Sequence, residues 1–542
     1  MTVAFADTLI VAARVHTMGE APGSASGGPA DTVAVADGKI FGVGTRAELD
    51  ALVGTQTRVL EFPAGTIVPG LVDAHMHPIY SLAVARGTSL VEVSGYEELV
   101  RALERAGREQ ADQEWILAWG LNPNAFEGRP VGNQVMHEVF GPDRCAYIKM
   151  FDAHSAIASA AALARAGISR PFTEDDGSSA VDDGTGQLSG LMLEFRAMDI
   201  VEAAMPSATF EDRVQQLRRL LESIAAQGIT TGHVMDLKDP DALDLLRAIE
   251  ADGDLPMRLR ISPWCDPATT DDKARELINL QGTSGRQFRV EGIKFFIDGT
   301  VEGGTAWLDT PDADGQCRSS TWSDNDSYRS RIRLFHEHGI PTATHAIGDR
   351  GIRFAAETLA ALPPTGPQHR IEHLESAGDD AIALMAEHGI AASMQPTHCT
   401  HFVHADGSDD WSRRLGPARA GRAWRTGDVR RAGVTLALGS DWPVAPYNPW
   451  DIMADARLRR PAGDPESTPV GPDQALTALE ALEGYTTHAH RSIGADGGVL
   501  AAGAVADLVV VDVDPLSAAP EAVARAGVLL TLVGGRVTHS VS

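Results

Sequence analysis

Apolar and polar residues alternate in short runs at both ends of the chain, whereas the middle shows apolar runs separated by stretches of helical periodicity. Near the start, TLIVAARVHTM and DTVAVADGKIFGVG read as strands joined by a Gly/Ser/Pro-rich loop at 20–30. Asp37-Gly38 lies between two alternating runs and predicts a hairpin. ADLVVVDVDP (506–515) and VLLTLVGGRVTHS (528–540), with its Gly-Gly turn, have the same texture at the other end. Strand modules at both ends predict one discontinuous β-sandwich, residues 1–65 plus 496–542.

Eight apolar runs lie between them. They are TIVPGLVDAHMH (66–77), GITTGHVMD (228–236), MRLRISPWC (257–265), VEGIKFFIDG (290–299), IPTATHAIG (340–348), HRIEHLE (369–375), IAASMQPTH (390–398) and VTLALGSDWPV (434–444). Segments such as DDKARELINLQ, RSRIRLFHEHG, RGIRFAAETLAAL and DAIALMAEHG read as amphipathic helices between them. Alternating strands and helices point to an α/β fold, and eight repeats to a (β/α)₈ TIM-type barrel, residues 66–84 plus 228–495. The gap 85–227 is too long for one crossover, so it predicts an inserted subdomain after the first strand. Its clearest strands are EWILAWGLN (114–122) and CAYIKMFDAHS (145–155), and a helix over 211–227 leads back to the barrel.

Composition narrows the partners. The 542 residues suffice for a barrel of about 250 residues and further modules. A net charge of −28, from 74 acidic and 46 basic residues, argues against nucleic acid or an anionic membrane. No stretch approaches the ~18 apolar residues of a membrane helix. The start, MTVAFADTLI, lacks the features of a signal peptide. Four scattered cysteines, Cys145, Cys265, Cys317 and Cys399, give neither a disulfide framework nor a thiolate metal site, and a reducing cytoplasm is the simplest location. The expected partners are a small-molecule substrate and, at most, a second copy in a homodimer.

Ionisable residues fall at the ends of the predicted strands. His75 and His77 end the first run, Lys294 lies in the fourth, and His345, His373 and Asp441 end the fifth, sixth and eighth. Strand ends of such a barrel converge on one face, so all six would meet. Alternate strand residues share a side, which turns both imidazoles of His75-Met76-His77 inward. Imidazole and carboxylate suit zinc or a similar ion without any cysteine. A protonated Lys294 facing such ions would be repelled, so it either faces elsewhere or is chemically altered. His154, His398, Trp119, Trp307 and Trp442 are candidate substrate contacts, with Phe126 a further aromatic at a strand end. His233 reads either as support for the pocket or as barrel filling. The run His398, Cys399, His401 and His404, beside Asp406-Gly407-Ser408, reads as a solvated loop rather than a metal tract.

At these residues the chain resembles the amidohydrolase superfamily, within it the amidohydrolase-3 branch that contains N-substituted formamide deformylases. PGLVDAHMHP, GIKFFIDGT, HAIGDRG, RIEH, GSDWPV, GAVADLVVVD and LVGGRV carry the likeness along nearly the whole chain. The resemblance implies two divalent ions, zinc first, with Lys294 carboxylated as a bridging carbamate. His75, His77 and Asp441 would hold one ion, and His345 and His373 the other. It further implies a metal-bridging hydroxide that attacks an amide-type C–N bond of an N-acyl or N-formyl amine, with Asp441 carrying the proton. Asp152-Ala153-His154-Ser155 departs from the Asp-Gly-His-Ala common among relatives, and His154 is retained. The strand-end aromatics point to a neutral, partly apolar amide. A ring deaminase, or an ester or carbamate hydrolase, on the same scaffold is the alternative. An inactive, binding-only relative would have lost ligands, and all six are present.

Overall fold

The computed structural model describes residues 5–19, 29–91, 93, 95–175, 177–206 and 208–541. Most of the 20–30 loop lies outside them. The chain forms an α/β fold with mixed and parallel sheets. Both ends meet in one seven-stranded mixed sheet, ordered Arg536–Ser540, Val528–Val533, Leu508–Val511, Arg58–Pro69, Thr8–Val15, Thr32–Ala36, Lys39–Gly44. The Asp37-Gly38 hairpin forms as expected, with Gly38 at φ 72°. The long strand Arg58–Pro69 crosses the boundary expected at residue 65 and carries the chain straight toward Leu71–Met76. Ile10, Val33, Ile67, Leu508 and Leu530 form this sheet's own core.

The eight central runs form two all-parallel sheets. One orders Phe288–Val290, Arg258–Ile261, Ile229–Val234 and Leu71–Met76; the other orders Ile293–Phe296, Thr342–Ala346, Arg370–His373, Ala391–Met394 and Leu436–Leu438. The fourth run is shared between them because it breaks at Gly292, whose φ of 110° suits glycine alone. Hydrogen bonds join the sheets at both margins. At one, Lys294 N–H donates to Pro263 O and Cys265 N–H to Lys294 O, both at 2.9 Å. At the other, Asp441 N–H donates to His75 O at 2.7 Å and His77 N–H to Trp442 O at 2.8 Å.

Helices cover these strands with capped N-termini. Thr209 caps Phe210–Ala225 and Thr270 caps Asp271–Leu280, each accepting a backbone N–H in the first turn. Helices Asn325–Glu337, Asp349–Ala360 and Asp379–His388 fall where the periodicity predicts them. The seventh run corrects the sequence reading: its strand stops at Met394, and Pro396–Phe402 is a helix with Pro at its first turn. His398, Cys399 and Thr400 are buried on it, so this segment is not a solvated loop. Apolar Phe402 and Val403 at its C-terminal end draw it into the core; only the continuation around Asp406-Gly407 is exposed.

The inserted segment contributes a second seven-stranded mixed sheet: Phe172–Thr173, Ser179–Asp182, Leu188–Leu193, Ser155–Ala158, Cys145–Met150, Trp115–Leu121, Thr88–Ser89. Two of these strands are legible as apolar runs; the others are too short or too polar to stand out. Its loops after Met150 and Leu193 bring Phe151–His154 and Glu194-Phe195 against the ends of the parallel strands. All four cysteines are free and buried. No helix among the described residues is long and apolar enough to cross a membrane.

Gly439 tests how tightly the two sheet margins are fitted. A Cβ there would lie 2.6 Å from His75 N and 3.0 Å from Asp73 Oδ1. Gly439→Ala should therefore cost on the order of 1–3 kcal/mol and weaken metal retention, because the clash displaces the strand carrying His75. Thermal unfolding and metal analysis of the variant check this; an unchanged Tm and full metal would contradict it.

Candidate metal centre and active-site cavity

Asp73, His75 and His77 occupy every second position of VDAHMH and are all buried. Asp73 Oδ1 accepts from His75 N–H and Ser440 N–H, both at 3.1 Å, which ties the first strand to the GSDW turn. That turn places Asp441 at φ 58°, a left-handed conformation costing about 1–3 kcal/mol for a residue other than glycine. His373 (72°) and Leu374 (56°) are held the same way at the end of the sixth run. Asp441 Oδ1 stands 3.4 Å from His75 Nε2 and 3.2 Å from His77 Nε2. Its Oδ2 stands 3.8 Å from both His373 Nδ1 and His398 Nε2.

Each imidazole is oriented from behind. His75 Nδ1–H donates to Glu372 Oε2 at 2.6 Å, and Arg370 pairs with the other oxygen of Glu372 at 2.6 Å. His77 Nδ1–H donates to Asp236 Oδ2 at 3.1 Å, and His373 Nδ1–H to Gln395 Oε1 at 2.9 Å. These bonds fix the tautomers and turn the Nε2 lone pairs of His75 and His77 toward Asp441. Lys294 Nζ lies 3.2 Å from His75 Nε2, within the cluster and not at the surface. His345 packs against His373, with ring centroids 4.5 Å apart, and its Nε2–H donates to Gly299 O at 3.3 Å.

Among the described residues, two sets of donors lie within 4.8 Å of one another: His75, His77, Asp441 and His373, His398, Asp441. The first is the set expected for one ion. The second brings in His398, whose Nε2 is buried without a hydrogen-bond partner, in place of His345. An orphaned imidazole nitrogen beside a carboxylate fits a cation, so the donors suit divalent ions bound here. Burial holds His75, His345 and His373 well below the usual imidazole range and His398 at about 4, so these rings are uncharged near neutral pH. Burial also brings Lys294 down to about 8. For His77, burial opposes the charge, but Asp236 and Asp441 overcome it and push it up to about 9. Burial alone would raise Asp441, yet His75 and His77 beside it hold it well below the carboxylate range.

The donors open into a small cavity of about 60 Å³ with aromatic walls, Phe151, Phe195, Trp264, Phe296, Phe402 and Trp424. His154 lines it, donating from Nδ1 to Glu194 Oε2 at 2.9 Å and lying 5.5 Å from the His345 ring. Ala153 sits at φ 56°. Trp119, Trp307 and Trp442 are not in the cavity wall. Trp119 packs on Trp442, Trp442 on Tyr447, and Trp307 on Phe354. Phe126 belongs to the core of the inserted segment. His233 is buried 3.0 Å from Arg370, behind Glu372.

Sequence reasoning missed Asp73, Asp236, Glu372, Asp298 and Gln395. Asp73 was signalled by the same alternation as the two histidines. Asp298 accepts N–H groups from Trp307 (2.8 Å), Ile347 (3.0 Å) and Gly348 (2.8 Å), pinning the loops after the fourth and fifth runs, and burial pushes it up to about 7.

A profile of the Amidohydrolase family matches residues 65–539. The chain belongs to that family. Curated relatives in sequence include the YtcJ protein of Bacillus subtilis strain 168, 27% identical over 522 residues covering 94% of this chain and 96% of that one. An N-substituted formamide deformylase of Arthrobacter pascens is 26% identical over 557 residues, covering 98% and 97%. In structure the chain is similar to an uncharacterized metal-dependent hydrolase from Pyrococcus horikoshii, with TM-score 0.69, 21% identity and coverage of 95% and 99%. That likeness is one of fold. Membership makes this amidohydrolase a hydrolase by family, with His and Asp groups that could hold a metal ion.

Metal uptake by this amidohydrolase should release protons. In metal-free protein His77 is raised to about 9, so at neutral pH it carries a proton that a cation must displace. From this group, apparent affinity should fall up to about tenfold per pH unit below that value. Calorimetric titration with zinc in buffers of different ionisation enthalpy should register a release of about one proton or more. A heat independent of buffer would contradict it.

Proposed function

We propose that this protein hydrolyses an amide-type C–N bond of a small N-acyl or N-formyl amine, using two divalent ions, zinc first. The observation that carries the reading is one buried carboxylate, Asp441, within 4 Å of four imidazoles, with Lys294 Nζ beside them in a cavity of aromatic walls. The formamide deformylase among the relatives supports an amide substrate. The same reading takes the two parallel sheets as halves of one (β/α)₈ barrel, with the terminal sheet and the 85–227 insertion as separate domains. The hydrogen bonds at both sheet margins support it.

His75, His77 and Asp441 would hold one ion. His373 and His345 would hold the other, with His398 beside it, and a carboxylated Lys294 would join both. Bound there, the ions would lower the pKa of water and polarise the scissile carbonyl. The chain's own residues do the rest. Glu372, Asp236 and Gln395 keep the rings in position. Asp441, held ionised, accepts a proton from the attacking water and returns it to the leaving nitrogen, which departs poorly as an anion. Lys294, buried and lowered to about 8, has the uncharged amine fraction that reaction with carbon dioxide requires. His154, which lines the cavity, would contact the substrate.

Asp441→Asn keeps the shape and one oxygen but cannot carry the proton. It should lose ~10²–10⁴-fold in kcat while retaining much of the metal. Near-normal kcat on an anilide and on an unactivated amide alike would limit Asp441 to ligation. Lys294→Ala should lose both activity and metal, and short carboxylic acids should restore part of each. An active enzyme whose Lys294 stays an unmodified amine by mass and electron density would overturn the carbamate. A hydrolysis screen of N-acyl and N-formyl amines, with metal content measured on the same preparation, tests the function itself: amide turnover that tracks metal supports it, and a metal-replete protein active only on esters or ring amines would replace it.

A further inference from the structure

Two carboxylates in the cavity wall, Glu302 and Glu375, are left unused by the hydrolytic reading. Glu375 follows His373 by two residues, and its Oε2 accepts from Trp411 Nε1 at 2.8 Å, which fixes its position. Glu302 lies on the loop after the fourth run. Asp152 and Glu375 line the same cavity, and Asp410 lines the adjoining chamber with Glu302. Lys294 is the single Lys or Arg among the described residues that line the cavity, and it belongs to the metal cluster.

Independent features point to a ligand at this wall. Trp424, 2% exposed and lining the cavity, has an indole N–H with no acceptor. Of the cavity's aromatic rings, Phe195 and Trp264 already face Lys238 Nζ at 5.0 and 5.9 Å and Phe296 faces Lys294 Nζ at 5.0 Å, while Phe151 and Phe402 form a separate pair 4.2 Å apart. Aromatic faces combined with carboxylates are the surroundings that desolvated organic cations favour. Glu302, with Phe151 and Asp152, also lines an adjoining chamber of about 660 Å³. Glu302 thus stands where the inner cavity and the outer chamber share a wall. The arginines of the outer chamber are already paired: Arg129 with Glu127, Arg413 with Asp410 and Asp314, and Arg414 with Asp312.

We infer that Glu302 and Glu375, beside the aromatic walls, form a subsite for a positively charged nitrogen, so that the preferred substrate is an amide bearing an ammonium group, with the Trp424 N–H a donor for one of its oxygens. The inference rests on the amide-hydrolase reading. It departs from the neutral amide expected from the sequence, which relied on Trp119, Trp307 and Trp442, none of which lines the cavity.

The test uses zinc-loaded enzyme and pairs of N-acyl amines matched in shape, one with a dimethylammonium group and the other with an isopropyl group. The wild type should favour the charged member at least tenfold in kcat/KM. Glu302→Gln should reduce that ratio at least tenfold, whereas Glu302→Asp, which keeps the charge, should retain most of it. A merely structural loss would lower both members together and leave the ratio unchanged. In parallel, calorimetry should find benzyltrimethylammonium binding at least tenfold tighter than benzyl alcohol, and more weakly to Glu302→Gln. No turnover of either amide with this binding preference intact would remove the hydrolase reading and keep the subsite. Turnover without preference for charge, or a ratio unmoved by Glu302→Gln, would overturn the subsite. So would a third equivalent of zinc lost in Glu302→Gln, which would make the acids a metal site.

Discussion

The carboxylate of Asp441 stands among four buried imidazoles, and most of the surrounding architecture serves to keep it there. Its φ of 58° is a conformation that only a constrained chain sustains. The constraint comes from its own N–H bonded to His75 O and from Asp73, which grips both His75 and Ser440. The first and last strands of the parallel array are thereby joined at this carboxylate. Three of these rings are neutral, and His77, which carries a proton without metal, can give it up to a cation beside an Asp441 that stays ionised near neutral pH. Divalent ions are what such a donor set accommodates.

The rest of the cavity is assembled from parts distant in sequence. Glu372 and Asp236 orient the two histidines of the first strand from the sixth and second runs, so ring geometry depends on strand register throughout the array. The inserted segment closes the site from outside. Its His154–Glu194 pair and Phe195 meet strand-end residues that lie more than a hundred positions further along the chain. Ala153 and Glu194 both take left-handed φ values there, 56° and 61°, so strain is concentrated at this contact as it is at Asp441.

Much of this was legible in the sequence because two periodicities carry it. Alternation marked the strands, and strand-end placement marked His75, His77, Lys294, His345, His373 and Asp441. What the pattern could not convey is the direction of a side chain beyond a strand end. Trp119, Trp307 and Trp442 sit where a wall could form, yet local packing turns them onto Tyr447, Phe354 and one another. His398 was ambiguous because QPTH follows a strand, and only the buried helix Pro396–Phe402 reveals that its ring returns to Asp441. Glu302 and Glu375 carry no periodic signal. They become visible only when two loops close on the same cavity.

The central claim is a paired cation centre organised around Asp441. Anomalous diffraction above and below the zinc edge, on crystals of the zinc-loaded protein, tests it most directly. The account predicts two peaks, one against His75, His77 and Asp441, the other against His345 and His373 with His398 adjacent, and continuous density from Lys294 Nζ between them. No zinc peak within the cavity, or a zinc bound only at surface carboxylates, would contradict it.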